Sequence, residues 1–404
     1  MTPKIFGAKI ATLRKKKGYT QAKFATKLNL SDKTISKWEN GLGYPDVTLL
    51  PVIAKLLGVS VDNLLSEQNS GITVAGNLIV DIVANIESYP SMGMQTYIQS
   101  YSNAVGGCVS NTSIDLAVID PLMRVSALGC VGKDDYGRFL ISKLESKGID
   151  VSGIRVSPKR QTSFTNVMSH PTGERTFFCF SGANADFSPQ DVDVSQLDCK
   201  ILHVGYILLL DKFDQKDEEY GTAMARFLHS VQKQGVKTSI DVVSSTNKSD
   251  YAEKVIPSLP YADYVIFNEI ECCNTWGIEP RNADGSINLD NVKTAMEKTL
   301  ASGVGEKVIV HAKEAGFCLS KDGTFSKMGS LIIPTEQIKG SVGAGDAFCA
   351  GCLYGIYNDY TDRQILEFAS AAAACSLFEA NAVDGMKNKS EILKLTKKYG
   401  RLEI

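Results

Sequence analysis

Gly340-Ser-Val-Gly-Ala-Gly-Asp-Ala-Phe348 decides how the chain is read. Small residues lead straight into an apolar segment, so the stretch predicts a helix whose first turn is bare backbone. Free N–H groups at a helix start, with aligned peptide dipoles behind them, bind anions. Gly343, Ala344 and Gly345 carry too little side chain to keep a phosphate away. Asp346 falls in the first turn, beside that hole. A carboxylate there accepts a hydroxyl proton while the hole holds charge on a transferred phosphoryl group. The same residues also suit a plain glycine-rich strand-to-helix turn in which Asp346 merely favours the dipole.

Outward from this stretch, short apolar runs alternate with helical patterns. Ile72–Val74, Val125–Leu128, Ile201–Val204, Thr238–Val243, Tyr264–Phe267 and Val308–Val310 read as strands. Tyr136–Lys147, Gly221–Gln234 and Val292–Leu300 read as helices between them. Such alternation predicts an α/β fold, a doubly wound and mainly parallel sheet covered on both faces. Tyr97–Ser102 and Ser163–Phe180 look like strands outside the alternation and suit a small accessory sheet. Asp134 is expected to cap the helix beginning near Tyr136. His203, in an apolar strand, is expected to be a satisfied core residue.

Residues 1–66 have a different period. Phe6, Ile10 and Leu13 recur at helical spacing up to Gly18. Thr20 and Ser31 are expected N-caps, Gly41 and Gly43 a stop, and Leu49 to Leu57 a further helix closed by Gly58. Ser60 would cap a last turn. The expected divisions are an all-α domain at 1–66, a polar linker at 67–70, an α/β domain at 71–388 and a C-terminal helix or tail at 389–404. The chain's 404 residues fit more than one domain.

The net charge of −2 averages two unlike parts. Residues 1–70 hold eleven basic against five acidic residues, a balance of +6, which leaves −8 for the rest. A basic head on an acidic body suggests that only the head meets a polyanion. All ten cysteines follow residue 70, mostly in apolar runs, which fits buried thiols in a reducing compartment. Cys349-Ala-Gly-Cys352 has zinc-pair spacing. Yet no second pair and no paired His stands among His170, His203, His229 and His311, so packing is expected there. With no signal peptide and no membrane-length apolar run, a cytoplasmic protein is expected.

Within the head, Thr20–Leu28, Ser31–Gly41, Tyr44-Pro45 and Val59–Leu65 follow one another in an order that resembles the Xre/lambda-repressor type of helix-turn-helix domain. On that resemblance the helix after Ser31 reads DNA. Lys33, Thr34 and Lys37 lie on the face opposite Ile35 and Trp38, while Gln21 and Ser36 are placed to donate to the backbone. Such domains bind half-sites as dimers, so a homodimer is expected.

The body resembles the ribokinase-like (PfkB-type) carbohydrate kinases from about Gly71 to Met386. Five matches come in order: Gly76 to Asp81, Gly106 to Asn111, Gly132 to Gly137, Asn268 to Glu271, and Gly340 to Phe348. The resemblance implies a β lid over the substrate, often the dimer interface. It makes Asp346 the catalytic base and Gly343, Ala344 and Gly345 the phosphoryl hole. Asp81, Asn111 and Gly107 become substrate-binding residues, expected beyond the C-terminal strand ends. Asn268 and Glu271 would order ATP and Mg2+, with Glu271 towards the metal, and Lys313 and Asn381 would line the adenine site. Gly340 stands where the family usually has Asp, a residue that helps hold a monovalent cation. Weak potassium dependence is therefore expected. Phosphorylation of a sugar hydroxyl, coupled to sugar-responsive DNA binding, is the implied function. The alternatives are a non-catalytic sugar sensor and a nucleoside kinase of the same fold.

Overall fold

The computed structural model describes residues 1–59, 61–65, 70–172, 174–245 and 247–404. It divides into two units, Met1–Ser70 and Gly71–Ile404. The cap expected at Ser60 and the linker residues 67–69 lie outside the described residues.

The first unit holds α1 (Pro3–Lys16), α2 (Gln21–Lys27), α3 (Asp32–Glu39), α4 (Leu50–Leu57) and α5 (Val61–Leu65). Thr20 and Ser31 are its N-caps, accepting from Lys23 N at 3.1 Å and Thr34 N at 3.2 Å. Gly58 ends α4 in the left-handed conformation at φ 72°. Phe6, Ile10, Phe24, Ile35, Ile53 and Leu64 are buried together, with Trp38 beside them. Arg14 and Gln21 both donate to Glu39, at 2.9 and 2.7 Å, and so tie three helices at one point. Burial works against the Glu39 charge, but these bonds outweigh it and hold the carboxyl below its usual range.

The second unit opens with β1 (Ile72–Ala75), β2 (Ile79–Ile86), β3 (Ile98–Gly106), α6 (Cys108–Ile119), β4 (Val125–Gly132), α7 (Asp135–Ser146) and β5 (Asp150–Ser157). It continues through β6 (Phe164–Ser169), β7 (Arg175–Phe180), β8 (Ile201–Ile207), the ribbon β9 (Lys216–Asp217) and β10 (Gly221–Thr222), and α8 (Ala223–Gln232). Then come β11 (Lys237–Val242), the short turn α9 (Lys248–Asp250), β12 (Tyr264–Asn268), α10 (Glu269–Asn274) and α11 (Leu289–Ala301). The chain closes through β13 (Lys307–His311), β14 (Ala315–Ser320), β15 (Phe325–Gly329), α12 (Ala344–Tyr357), α13 (Asp362–Ser376) and α14 (Lys389–Lys398).

Among the described residues the main sheet runs β15-β14-β13-β12-β11-β8-β1-β4-β5. From β13 to β5 every pairing is parallel, and β14 and β15 add antiparallel to one edge. The winding reverses beside β1, with β4 on one side and β8 on the other. In a doubly wound sheet ligands collect beyond the C-terminal strand ends at such a switch. One face packs on α6, α7, α12, α13 and α14, and the other on α8, α10 and α11. The expected α/β class is correct, and β14 and β15 are strands that the alternation did not reveal.

The accessory strands form a separate sheet, β3-β2-β6-β7. The stretch read as one strand, Ser163–Phe180, is a hairpin, because β6 and β7 pair antiparallel. β2 pairs parallel to β6 and antiparallel to β3, so it joins these pieces into one layer.

Candidate active site

Gly343 caps α12 at φ 78°, and no side chain caps this helix. A Cβ there would lie 2.6 Å from the Ala382 Cβ and carbonyl oxygen, so the position demands glycine for both space and conformation. The first intrahelical bond is from Ala347 N to Gly343 O at 2.8 Å. The first-turn amides of Gly345 and Asp346 therefore have no partner within the helix. Asp346 itself is 7% exposed. Its Oδ2 accepts from Asn111 Nδ2 at 2.9 Å, and the Tyr206 hydroxyl lies 3.1 Å from both carboxylate oxygens. Burial pushes the Asp346 carboxyl up to about 6, against the pull of the Asn111 bond.

Tyr206 is a tyrosine at φ 61°, in the left-handed region that disfavours bulky residues. It stands near the end of β8, where the pairing with β11 shifts register between Ile240 and Val242. Its backbone N–H donates to Asp241 Oδ1. The irregularity turns its ring away from the sheet and towards Asp346.

Around this centre lies a cleft of about 270 Å3. Its walls include Tyr206, Asp241, Ser244, Asn268, Glu271, His311, Ser341, Gly343, Asp346 and Cys349. β8, β11, β12 and β13 each deliver a residue from their C-terminal ends. Asn268 and Glu271 form a reciprocal cap at the start of α10. Asn268 N donates to Glu271 Oε2 at 2.9 Å, and Glu271 N to Asn268 Oδ1 at 2.8 Å. Ser244 Oγ donates to the other Glu271 oxygen at 3.0 Å. Burial pushes the Glu271 carboxyl up to about 8. His311 is held neutral, its pKa lowered by burial to about 4.

Asp81 and Asn111 are carried by the accessory sheet and by α6, not by the strands of the main sheet. Asp81 lies within β2 of the accessory sheet, opposite Ala104 and Thr165, because Ile79–Ile86 continues as strand after the motif. Asn111 lies in the first turn of α6, aimed at Asp346. Burial and then the Asp346 charge raise the Asp81 carboxyl to about 7, which ties Asp81 electrostatically to the same centre. Gly106 makes its room, since a Cβ there would sit 2.4 Å from Asp81 Oδ2. Gly107 holds φ 81°, and a Cβ there would lie 2.4 Å from the Asn77 carbonyl oxygen, so the position demands glycine. Asp134 is the cap it was read to be, accepting from Gly137 N at 2.9 Å.

Lys313 and Asn381 are not on the cleft wall. Lys313 is exposed on the turn after β13, and Asn381 closes its own turn by donating to Asp384 at 2.7 Å. Ala382, beside Asn381, is the residue that packs on Gly343. At Gly340 a Cβ would press on the backbone of Glu379 and Ala380 at 3.2 to 3.3 Å.

The model described as pfkB family carbohydrate kinase matches residues 69–389. The chain belongs to this family. As a pfkB kinase it is a phosphotransferase acting on an alcohol group. It is 24% identical over 325 residues to a 5-dehydro-2-deoxygluconokinase of Clostridium botulinum, covering 75% of this chain and 88% of the relative. A ribokinase of Schizosaccharomyces pombe is 23% identical, covering 80% of this chain and 96% of its own. Among solved structures, Arabidopsis thaliana ribokinase complexed with ribose and ATP has a TM-score of 0.68 at 21% identity, covering 82% of this chain and 99% of its own. Ribokinase from Thermotoga maritima has a TM-score of 0.66 at 20% identity, covering 81% and 99%. These structures show that the pfkB unit has the ribokinase fold.

Tyr206, Asp241, Ser244, His311, Ser341 and Cys349 are cleft residues of this kinase to which the sequence reading gave no site role. Tyr206, Asp241 and His311 are brought in by strand ends and Ser244 follows one, with no motif spacing to mark them, whereas Ser341 lies within the Gly340–Phe348 motif and Cys349 follows it on α12.

The head is matched over residues 10–64 by the model described as Helix-turn-helix. On α3, Lys33 and Lys37 are exposed. Thr34 and Ser36 are engaged locally, with Ser31 Oγ at 2.9 Å and Asn40 Nδ2 at 3.2 Å. Gln21 is committed to Glu39. Among the described residues no helix is long and apolar enough to cross a membrane.

Proposed function

We propose that the protein transfers the terminal phosphoryl group of ATP to a hydroxyl of a sugar or sugar acid, and that its head binds DNA in response to that ligand. The observation that carries the kinase reading is Asp346, set between an uncapped helix start and the Asn111 side chain. The acceptor hydroxyl takes the place that Tyr206 holds against the Asp346 carboxylate. Asp346 takes its proton as the oxygen attacks. The amides of the Gly343–Gly345 turn hold the charge on the transferring group, without reorganising as it develops. Asp81 and Asn111 orient the remaining hydroxyls. The lid over the cleft excludes water, which otherwise competes for the phosphoryl group.

Mg2+ fits the hard oxygen donors of Glu271, Ser244 and Asn268 on the cleft wall, where both Glu271 oxygens already accept hydrogen bonds and contact through water is suited. When bound it supplies charge neutralisation of the phosphates. Lys313 and Asn381 are assigned to the adenine side, Asn381 in the turn whose Ala382 packs on Gly343. With Gly340 in place of a carboxylate, potassium stimulates the reaction weakly or not at all.

The relatives' substrates, 5-dehydro-2-deoxygluconate and ribose by their names, set the acceptor class to be tried first. The head's charge of +6, with Lys33 and Lys37 exposed on α3, supports DNA as its partner. Exposed Tyr97, Tyr101, Phe177 and Phe178 on the lid support a homodimer formed through that sheet.

The test is ADP release across a panel of sugars, sugar acids and nucleosides. Thermal shift with each compound runs alongside, for wild type and Asp346→Asn. Turnover by wild type, with a shift but no turnover in the variant, is expected. A compound that shifts both proteins and yields no ADP from either would favour a sensor instead.

A further inference from the structure

Three buried side chains from distant parts of the sequence meet beside the cleft. His203 comes from β8, Asp241 from the end of β11 and Cys349 from the second turn of α12. His203 Nε2 lies 3.3 Å from Asp241 Oδ2 and 3.5 Å from Cys349 Sγ. All three donor atoms lie within 4.8 Å of one another. A tetrahedral zinc ion with ordinary bond lengths sets its nitrogen and oxygen ligands about 3.3 Å apart, and nitrogen and sulfur about 3.6 Å apart. The two distances that His203 makes are those of a zinc tetrahedron's edges.

The surroundings orient these ligands. The other His203 nitrogen, Nδ1, is 3.0 Å from Ser239 Oγ, which fixes the direction of the ring. The other Asp241 oxygen accepts the Tyr206 N–H, so one oxygen is left for a cation. Asp241 and Cys349 line the cleft, and His203 lies behind them. Two of the three ligands thus border the cleft, from which a fourth ligand can come.

We propose that His203, Asp241 and Cys349 form a site for a thiophilic divalent cation of the zinc class, and that its occupancy inhibits phosphoryl transfer. Imidazole with thiolate selects such a cation over Mg2+, whose hard-oxygen donors are Glu271, Ser244 and Asn268. On binding, the Cys349 thiol gives up its proton to solvent and the sulfur bonds to the metal. Inhibition follows from position. Cys349 stands one turn after Asp346 on α12, and Tyr206 bonds Asp241 through its N–H and Asp346 through its hydroxyl, so a divalent charge at the site draws on the carboxylate that accepts the substrate proton. This second half rests on Asp346 being the base. The site itself does not, and its readouts need no turnover.

The experiment titrates the metal-free full-length protein with Co2+. It follows the sulfur-to-metal charge-transfer band and the visible bands of tetrahedral cobalt, then displaces with Zn2+. Wild type is expected to show both bands at one cation per chain. Cys179→Ser, which removes the exposed thiol, should match it. Cys349→Ser and His203→Asn should each lose affinity at least tenfold, and Cys349→Ser should also lose the charge-transfer band. A wild type without that band, or a folded Cys349→Ser that keeps it, overturns the site. Zinc-edge anomalous scattering from crystals of the wild type needs no substitution. A peak among the three side chains supports the site, and a peak elsewhere or none overturns it. In the kinase assay, activity should fall in step with occupancy. Full turnover by protein loaded at that peak overturns the inhibitory role.

Discussion

Burial, and after it the Asp241 charge, work against the charge on Asp346, and its two hydrogen-bond donors only partly offset them, leaving the carboxyl at about 6. Below that pH the group is protonated and cannot accept a hydroxyl proton. kcat/KM should therefore fall on the acid side of pH 6, measured across a buffer series at constant ionic strength. Tyr206→Phe removes a donor to the charged form. It should move the acid limb to higher pH by up to about one unit, the worth of one hydrogen bond to a carboxylate. A limb that stays in place would remove Tyr206 from the control of this base. Asp346→Asn should lower kcat by about 10²- to 10⁴-fold.

Asp115 is a different kind of buried acid. It is fully buried in α6, with no hydrogen-bond partner for either carboxylate oxygen, and burial raises its pKa well above the usual range. The folded protein then holds this proton where the unfolded chain releases it. Its contribution to stability falls as pH rises from about 4 towards the folded value, by at most about 1.4 kcal/mol per pH unit. Asp115→Asn does not titrate. Its melting temperature should gain on wild type between pH 5 and pH 8, and a constant difference would contradict the burial of an acid there. At this scale the motif residues Asp346, Asn268 and Glu271 were legible, because each sits where its own short motif bends the chain. Tyr206 and Asp241 were not, since what places them is a register shift between two strands.

Elements carry the next level of control. α12 can present bare amides only because Gly343 turns the chain at φ 78° with Ala382 packed on it. Gly343→Ala must adopt a left-handed conformation and push Ala382 aside. Stability should drop by about 1–3 kcal/mol in urea melts, and turnover should fall beyond what the folded fraction explains. The lid is an element of another kind. Tyr101 is 74% exposed and Phe178 57% exposed, on the outermost strands β3 and β7. A dimer through this sheet would cover both. Tyr101→Glu with Phe178→Glu should therefore give monomers in light scattering, and dimers that persist would move the interface elsewhere. The helices and their caps at Thr20, Ser31 and Asp134 could be read directly, because capping is a local hydrogen bond. β2 was hidden because Asp81 and Asn85 interrupt its apolar positions. β14 and β15 were hidden because they follow a strand without an intervening helix.

For the whole molecule, the division into Met1–Ser70 and Gly71–Ile404 was legible as a change of period and of charge sign. Each unit buries its own core, so phosphoryl transfer in the second is not expected to need the head. The charge split makes this testable in the full chain. Lys33 and Lys37 are exposed, and neither has a role in the helical core. A lysine that neutralises a phosphate releases about one counterion, hence contributes about one unit of slope in log affinity against log salt. Lys33→Ala with Lys37→Ala should therefore weaken DNA binding at low salt and flatten its salt dependence by about two units. The kinase unit has no use for either lysine, so kcat and KM for the sugar should stay at wild-type values. A salt slope unchanged by both substitutions would place the DNA-binding surface on another face of the head. A parallel loss of kinase activity would mean that the two units do not work as separately as their cores imply.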